Sequence, residues 1–324
     1  MLVEDFGGCP PQGRDRPNDP GQALEDRNIR AGLATKTSHP TRGKNESRVL
    51  SRPNLMLVNG QASPRLSARP GERERWRIIN ACAARYLRLR LDGQRLQLLG
   101  FDSGRFPRPQ DVTEVVLAPG NRADLLVTGV AGTATLRVLP FDKGTPMGMM
   151  SGTRPSSATV NLATFVVAGA PAAASATVPT QPLPRDLRNS TVDNRRELTF
   201  AMGMGPEGIG MGPGGNMMRF TIDGKEFDPA RIDTIVHAGS LEEWTLTNTT
   251  PMDHPVHLYV WPMQIVERAA AAVNGVLWQD VVNVPAMSSI PVRIPFDDFT
   301  GKMVCHCHIL DHEDGGIMGI VNAA

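Results

Sequence analysis

Two short segments near the C-terminus carry most of the chain's metal-ligating side chains. Five of the seven histidines fall in Asp253-His254-Pro255-Val256-His257-Leu258-Tyr259 and in Cys305-His306-Cys307-His308-Ile309-Leu310-Asp311-His312-Glu313-Asp314. Successive side chains of an extended strand point to opposite faces. His306 and His308 would then face one way and Cys307 the other, so one strand could serve two metal centres. A thiolate with two imidazoles in a trigonal arrangement is the ligand set of a blue (type 1) copper ion. Cys307 supplies the sulfur and His312 follows five residues on. The third ligand must come from another strand, and His254 is the natural candidate.

The other soft or titratable residues read more plainly. Four cysteines, Cys9, Cys82, Cys305 and Cys307, are too few and too oddly spaced for a disulfide framework. By alternation Cys305 shares a face with Cys307 and packs beside the site without being a ligand. Cys82 reads as a small core residue, Cys9 as an incidental thiol, and His39 and His237 as isolated solvated side chains. The Met-Gly segment from Met202 to Met218 reads as a flexible approach to a strand at Phe220, with a soft Cu(I) thioether site as the alternative. Met147, Met149 and Met150 read the same way. Trp261 is expected to pack near the metal.

These groups need a rigid frame, and the chain's texture specifies strands. Leu87, Leu89 and Leu91 alternate with Arg88 and Arg90, the period of a half-buried strand. The same alternation occurs at Trp76/Ile78, Leu136/Val138, Trp244/Leu246 and Val292/Ile294/Phe296. Asn59-Gly60, Pro70-Gly71, Asp92-Gly93 and Pro119-Gly120 are turn signals between such runs. Gly (32) and Pro (27) are abundant enough to favour turn-rich β architecture over helix bundles. Residues 1–49 are polar and aperiodic and read as a disordered arm or the remnant of a first domain. Residues 168–184 (AGAPAAASATVPTQPLP) read as a linker. The expected fold is all-β, with two Greek-key sandwich domains at 50–167 and 185–324.

Charge and hydropathy narrow the partners. A net charge of +1 steers the chain toward neither nucleic acid nor an anionic membrane surface. No apolar run is long enough for a transmembrane helix, and the first residues lack the pattern of a signal peptide.

HPVHLY followed by HCHILDH resembles the paired signature of the last cupredoxin domain of multicopper oxidases. The stretch LMLVNGQASPRL…RWRIINACAARYLRLRLDG…VVLAPGNRADLLV, between Leu55 and Val127, looks like the middle domain of the bacterial three-domain laccases and cuprous oxidases. Phe220-Thr-Ile-Asp-Gly-Lys-Glu-Phe and Glu243-Trp-Thr-Leu-Thr-Asn resemble the entry to the third domain. The resemblance spans residues 50–322 and implies two cupredoxin-like domains that bind copper. It assigns His254, Cys307 and His312 as type 1 ligands, His257 as a type 2 ligand, and His306 and His308 as type 3 ligands. Cys307 would carry electrons and Glu313 would assist proton delivery.

The implied reaction is oxidation of a phenolic substrate or Cu(I), with electrons passing toward a trinuclear site. Three features depart from the family pattern. HWH and HSH, which the family's first domain supplies, do not occur, so O2 enters only if a first domain is supplied. Tyr259 stands where a type 3 histidine is expected. The axial position holds Ile317, with Met318 one place later. The alternative reading is a non-catalytic type 1 copper or electron-transfer fragment; a third is a chimeric enzyme completed by another polypeptide. The family resemblance implies a periplasmic or cell-envelope location.

Overall fold

The computed structural model describes residues 25–33, 56–144, 158–203, 219–268 and 271–324. Strands dominate, and the single helix among these residues is the short Leu310–Asp314. In the first half a six-stranded sheet runs in the order Met56–Val58, Glu25–Leu33, Arg73–Asn80, Arg122–Thr128, Arg95–Phe101, Gly104–Val112. A five-stranded sheet runs Arg65–Ala68, Val160–Val167, Gly132–Leu139, Leu87–Leu91, Val115–Leu117. The second half has a six-stranded sheet, Arg219–Ile222, Asn194–Gly203, Leu241–Asn248, Ser288–Pro295, Met263–Arg268, Ala271–Gln279. Its five-stranded sheet is Thr234–Val236, Met318–Ala323, Gly301–Cys307, His254–Leu258, Val281–Val284.

The alternating runs become strands because one face of each can be buried. Leu87, Leu89 and Leu91 are buried while Arg88 and Arg90 turn outward, and Trp76 and Ile78 enter the same core as Phe165. Trp244, Leu246, Val292, Ile294 and Phe296 build the second core, which also encloses Cys305 and Cys307. Each half is therefore a two-sheet sandwich around its own apolar interior, the cupredoxin-like arrangement.

The two halves repeat one pairing diagram, strand for strand, a repeat that hydrophobic periodicity alone does not reveal. Side chains repeat with it. Trp76 Nε1 donates to Glu74 at 2.7 Å, and Trp244 Nε1 donates to Glu242 at 2.7 Å. Asn80 Nδ2 caps the Leu117 carbonyl as Asn248 Nδ2 caps that of Val284. Asn59-Gly60 and Asp223-Gly224 both turn with positive φ at both residues, the geometry of a type I′ hairpin.

One expectation is corrected. Residues 1–49 are not uniformly a disordered arm, because Glu25–Leu33 is a strand of the first sheet. It pairs parallel with Arg73–Asn80 and antiparallel with Met56–Val58. Asn194–Gly203 fills the matching place in the second half, parallel to Leu241–Asn248. The pairing satisfies main-chain groups whatever the side chains are, so a polar composition averaged over the whole stretch concealed it. The remainder of that stretch lies outside the described residues.

No strand runs between Val167 and Asn194. The segment read as a linker is hooked to the first half by Ala168 N to Ala68 O, Ala172 N to Pro70 O and Gln181 N to Pro107 O. The halves also meet directly. Arg122 donates to both oxygens of Asp280 at 2.5 and 2.6 Å, and Tyr86 donates to Asn283 at 2.7 Å.

Candidate metal centre

His254 opens the strand His254–Leu258 and Cys307 closes the neighbouring antiparallel strand Gly301–Cys307, with Val256 opposite Cys307. The chain then turns through His308 and Ile309 into the helix Leu310–Asp314, which carries His312. The Leu310 amide donates to the Ala83 carbonyl of the first half, which anchors this turn.

These elements bring three ligand atoms into one small triangle. His254 Nδ1 lies 3.3 Å from Cys307 Sγ, Cys307 Sγ 3.5 Å from His312 Nδ1, and the two Nδ1 atoms are 3.2 Å apart. All three residues are buried. A triangle of such sides has its centre about 1.9 Å from each corner (side divided by √3), close to the roughly 2.0–2.1 Å of a metal–imidazole bond.

Neighbours fix which nitrogen of His254 faces the site. The Thr250 hydroxyl donates to the Met252 carbonyl, so it must accept from His254 Nε2, 2.8 Å away. Nε2 therefore carries the hydrogen and Nδ1 turns its lone pair to the triangle. Burial, with a smaller push from the Lys143 ammonium, lowers His254 to about 4. Burial, then His254 and Lys143, lower His312 to about 3. Burial raises the Cys307 thiol to about 12. Two imidazoles that burial keeps neutral, their Nδ1 atoms beside each other and beside a sulfur, suit a soft cation between them, and so fit copper.

Ile317 is fully buried, and its backbone bonds both other parts of the site: its carbonyl accepts from Cys307 N and its amide donates to His312 O. Met318 is only partly buried and begins the next strand, opposite His306. Phe220 stacks on the His312 ring with centroids 5.0 Å apart and planes at 25°.

A second cluster lies on the opposite face of the same strand. His257 Nδ1 is 3.2 Å from His306 Nε2, and the His308 ring centroid is 5.5 Å from that of His257 and 5.4 Å from that of His306. His306 Nδ1 must hold a hydrogen, because it bonds the Cys307 carbonyl at 3.1 Å and Glu313 Oε2 at 3.2 Å. Its Nε2 is the ring nitrogen that faces His257. The hydrogen bond from His306 lowers the Glu313 carboxyl, while burial works against it. Tyr259 joins this cluster with its ring centroid 4.4 Å from that of His257.

The other residues singled out from the sequence stand apart from the ligand atoms. His237 is exposed and apart from both clusters. Trp261 is buried in the same core as Cys307, edge-on to Phe296 at 5.0 Å. Met147, Met149, Met150, Cys9, His39 and all but the first two residues of the Met202–Met218 segment lie outside the described residues. Thr250, Lys143, Phe220 and Gly120 are site neighbours that sequence reasoning missed. A side chain on Gly120 would overlap the His308 ring. Its Pro-Gly turn was legible, but its contact with the other half was not.

Two multicopper oxidase family profiles match residues 32–135 and 205–324, together more than half of the chain. A laccase of Bacillus stratosphericus is 27% identical over 288 residues, 81% of this chain and 53% of that protein. The cell division protein FtsP of Edwardsiella tarda is 28% identical over 247 residues, 74% of this chain and 48% of that protein. The chain thus spans about half the length of these relatives. A metallo-oxidase from Campylobacter jejuni shares the fold with a TM-score of 0.74 at 24% identity, over 93% of this chain and 64% of that one.

Proposed function

The chain belongs to the multicopper oxidase family, and on that premise we propose that His254, Cys307 and His312 hold a type 1 copper through which electrons enter the protein. The observation that carries this reading is the buried triangle of ligand atoms, 3.2–3.5 Å on a side, with the His254 tautomer fixed by Thr250. A copper ion held there supplies one-electron redox chemistry. We assign Ile317, buried and bonded through its backbone to Cys307 and His312, rather than the partly buried Met318, to the axial position; its hydrocarbon would add no further ligand to a bound copper and would favour a high potential. Cys307 is joined through the backbone to His306 and His308, so one residue links the two faces of the strand. We assign His257 to the type 2 position, His306 and His308 to the type 3 positions, and Glu313 to holding or releasing a proton beside His306. The substrate class we propose is a phenol or Cu(I). The domains we propose are 50–167, together with the strand Glu25–Leu33 that its first sheet includes, and 185–324, in a periplasmic or cell-envelope protein.

The reading of a type 1 copper protein without its own oxygen chemistry also has a specific observation behind it. Tyr259 occupies the imidazole cluster beside His257, and a phenol with a pKa near 10 is a poor substitute for a neutral imidazole. Three imidazoles do not fill a trinuclear site, so reduction of O2 would draw on ligands from outside these residues. Reconstitution with Cu(II) tests both readings. The intense thiolate-to-Cu(II) band should appear, vanish in Cys307→Ser and persist in His308→Ala. A colourless copper-replete protein would refute the type 1 assignment. Oxygen uptake with a phenolic dye then separates the two. Sustained four-electron turnover by the chain alone supports an autonomous oxidase, and bleaching by one electron per chain supports the electron-transfer reading.

A further inference from the structure

The seam between the two halves forms an open-sided cavity of about 380 Å³ that touches none of His254, Cys307 and His312. We propose that it is a binding site for a small planar aromatic carboxylate. Its walls are Tyr86, Phe101, Phe106 and Phe141 from the first half and Leu277 and Trp278 from the second. Phe101, Phe106, Phe141 and Trp278 are only half-buried. Four large aromatic side chains left partly open around one concavity are costly to leave wetted and suit a flat apolar guest. The volume lies at the lower end of the range for small-molecule sites, which fits one or two fused rings.

The walls are held in advance. Tyr86 and Phe141 stack with centroids 4.7 Å apart and planes at 7°. The Tyr86 hydroxyl donates to Asn283 Oδ1 at 2.7 Å, and Asn283 Nδ2 donates to Asp253 Oδ2 at 2.9 Å. Across the seam Gly104 lies so close to Trp278 that a side chain there would overlap the Trp278 carbonyl oxygen. Such a pocket binds without first ordering its own side chains.

Charge selects the guest. Arg105 is the one ionisable cation on the cavity wall, and no carboxylate lines it. Arg105 is exposed and forms no ion pair among the described residues. An aromatic ring with a carboxylate at its edge satisfies both the apolar walls and this guanidinium, which matches carboxylate geometry.

The test uses the copper-free full chain, so its outcome is independent of the metal-site reading. Titration calorimetry with 2-naphthoate should show saturable one-to-one binding. Trp278 emission should change with it, since Trp76, Trp244 and Trp261 are fully buried. Arg105→Ala should weaken 2-naphthoate about tenfold, and Arg105→Glu more, while neutral 2-naphthalenemethanol binds all three proteins alike. Absence of saturable binding at millimolar 2-naphthoate overturns the proposal. So does an affinity that is indifferent to the charge at position 105.

Discussion

Acidification should unfold the copper-free chain through its buried imidazoles, and the size of the effect follows from their environment. His254 and His312 are pushed from the ordinary 6.5 to about 4 and about 3, in both cases mainly by burial. Between pH 6.5 and those values the unfolded chain binds a proton at each site that the folded chain refuses. Stability is therefore fully present above pH 6.5 and falls as pH falls, by about 1.4 kcal/mol per unit per histidine. At pH 5 each residue has cost about 2 kcal/mol, and the pair about 4, a large part of a typical domain's stability. Asp102 opposes the trend: burial lifts its carboxyl to about 7, so the folded chain takes up that proton first and gains stability below pH 7. The clean readout is the difference between proteins. Urea unfolding at pH 8 and pH 5 should show His254→Gln, and separately His312→Gln, losing about 2 kcal/mol less than the parent. Identical pH dependence in the parent and both variants would show that these imidazoles are not held neutral by burial.

Three further substitutions probe the frame around the site. Val260 is a β-branched residue at φ 61°, with Trp261 N bonded to Tyr259 O at 2.8 Å across it, a strained γ-turn. Val260→Gly should therefore stabilise the chain by about 1 kcal/mol after the entropic cost of glycine, measured by denaturant midpoint. Thr250→Val keeps the volume but removes the acceptor of His254 Nε2, and should weaken copper binding about tenfold or more in competition with a chelator. Gly120→Ala meets the His308 ring at a φ of +83°, so it should shift the His308 ring resonances and lower stability by roughly 1–3 kcal/mol. An unshifted His308 would place that loop farther off.

The parts of the site legible in the sequence are those that one strand's alternation determines. His306, Cys307 and His308 had to divide between two faces, and His254 had to come from a partner strand. What escaped depends on the tertiary approach of distant segments. Thr250 reads as an ordinary turn residue until its hydroxyl is seen against His254. Gly120 reads as a turn glycine until the second half arrives over it. Glu25–Leu33 escaped because its order comes from main-chain pairing to a strand on either side. Its few apolar side chains gave a periodicity search little to find.

The repeat between the halves explains why only one of them holds the ligands, and it sets a stoichiometry. Leu87 pairs with Leu117 as His254 pairs with Val284, and Asn80 and Asn248 mark the same carbonyl in each pair. Leu89 pairs with Val138 as Val256 pairs with Cys307. Leu87 and Val138 thus stand in the first half where His254 and Cys307 stand in the second, both buried in apolar surroundings. On the outer face Arg90 pairs with Arg137 as His257 pairs with His306, and both arginines form ion pairs with Asp92 where the second half gathers imidazoles. The same frame is filled with hydrocarbon in one half and with a thiol and imidazoles in the other. Copper titration followed by the blue absorption should therefore saturate at one blue ion per chain. Leu87→His with Val138→Cys should create no second blue site, because the turn after Leu139 carries no counterpart of His312. Two blue ions in the parent chain would mean that the first half holds ligands this correspondence does not recognise.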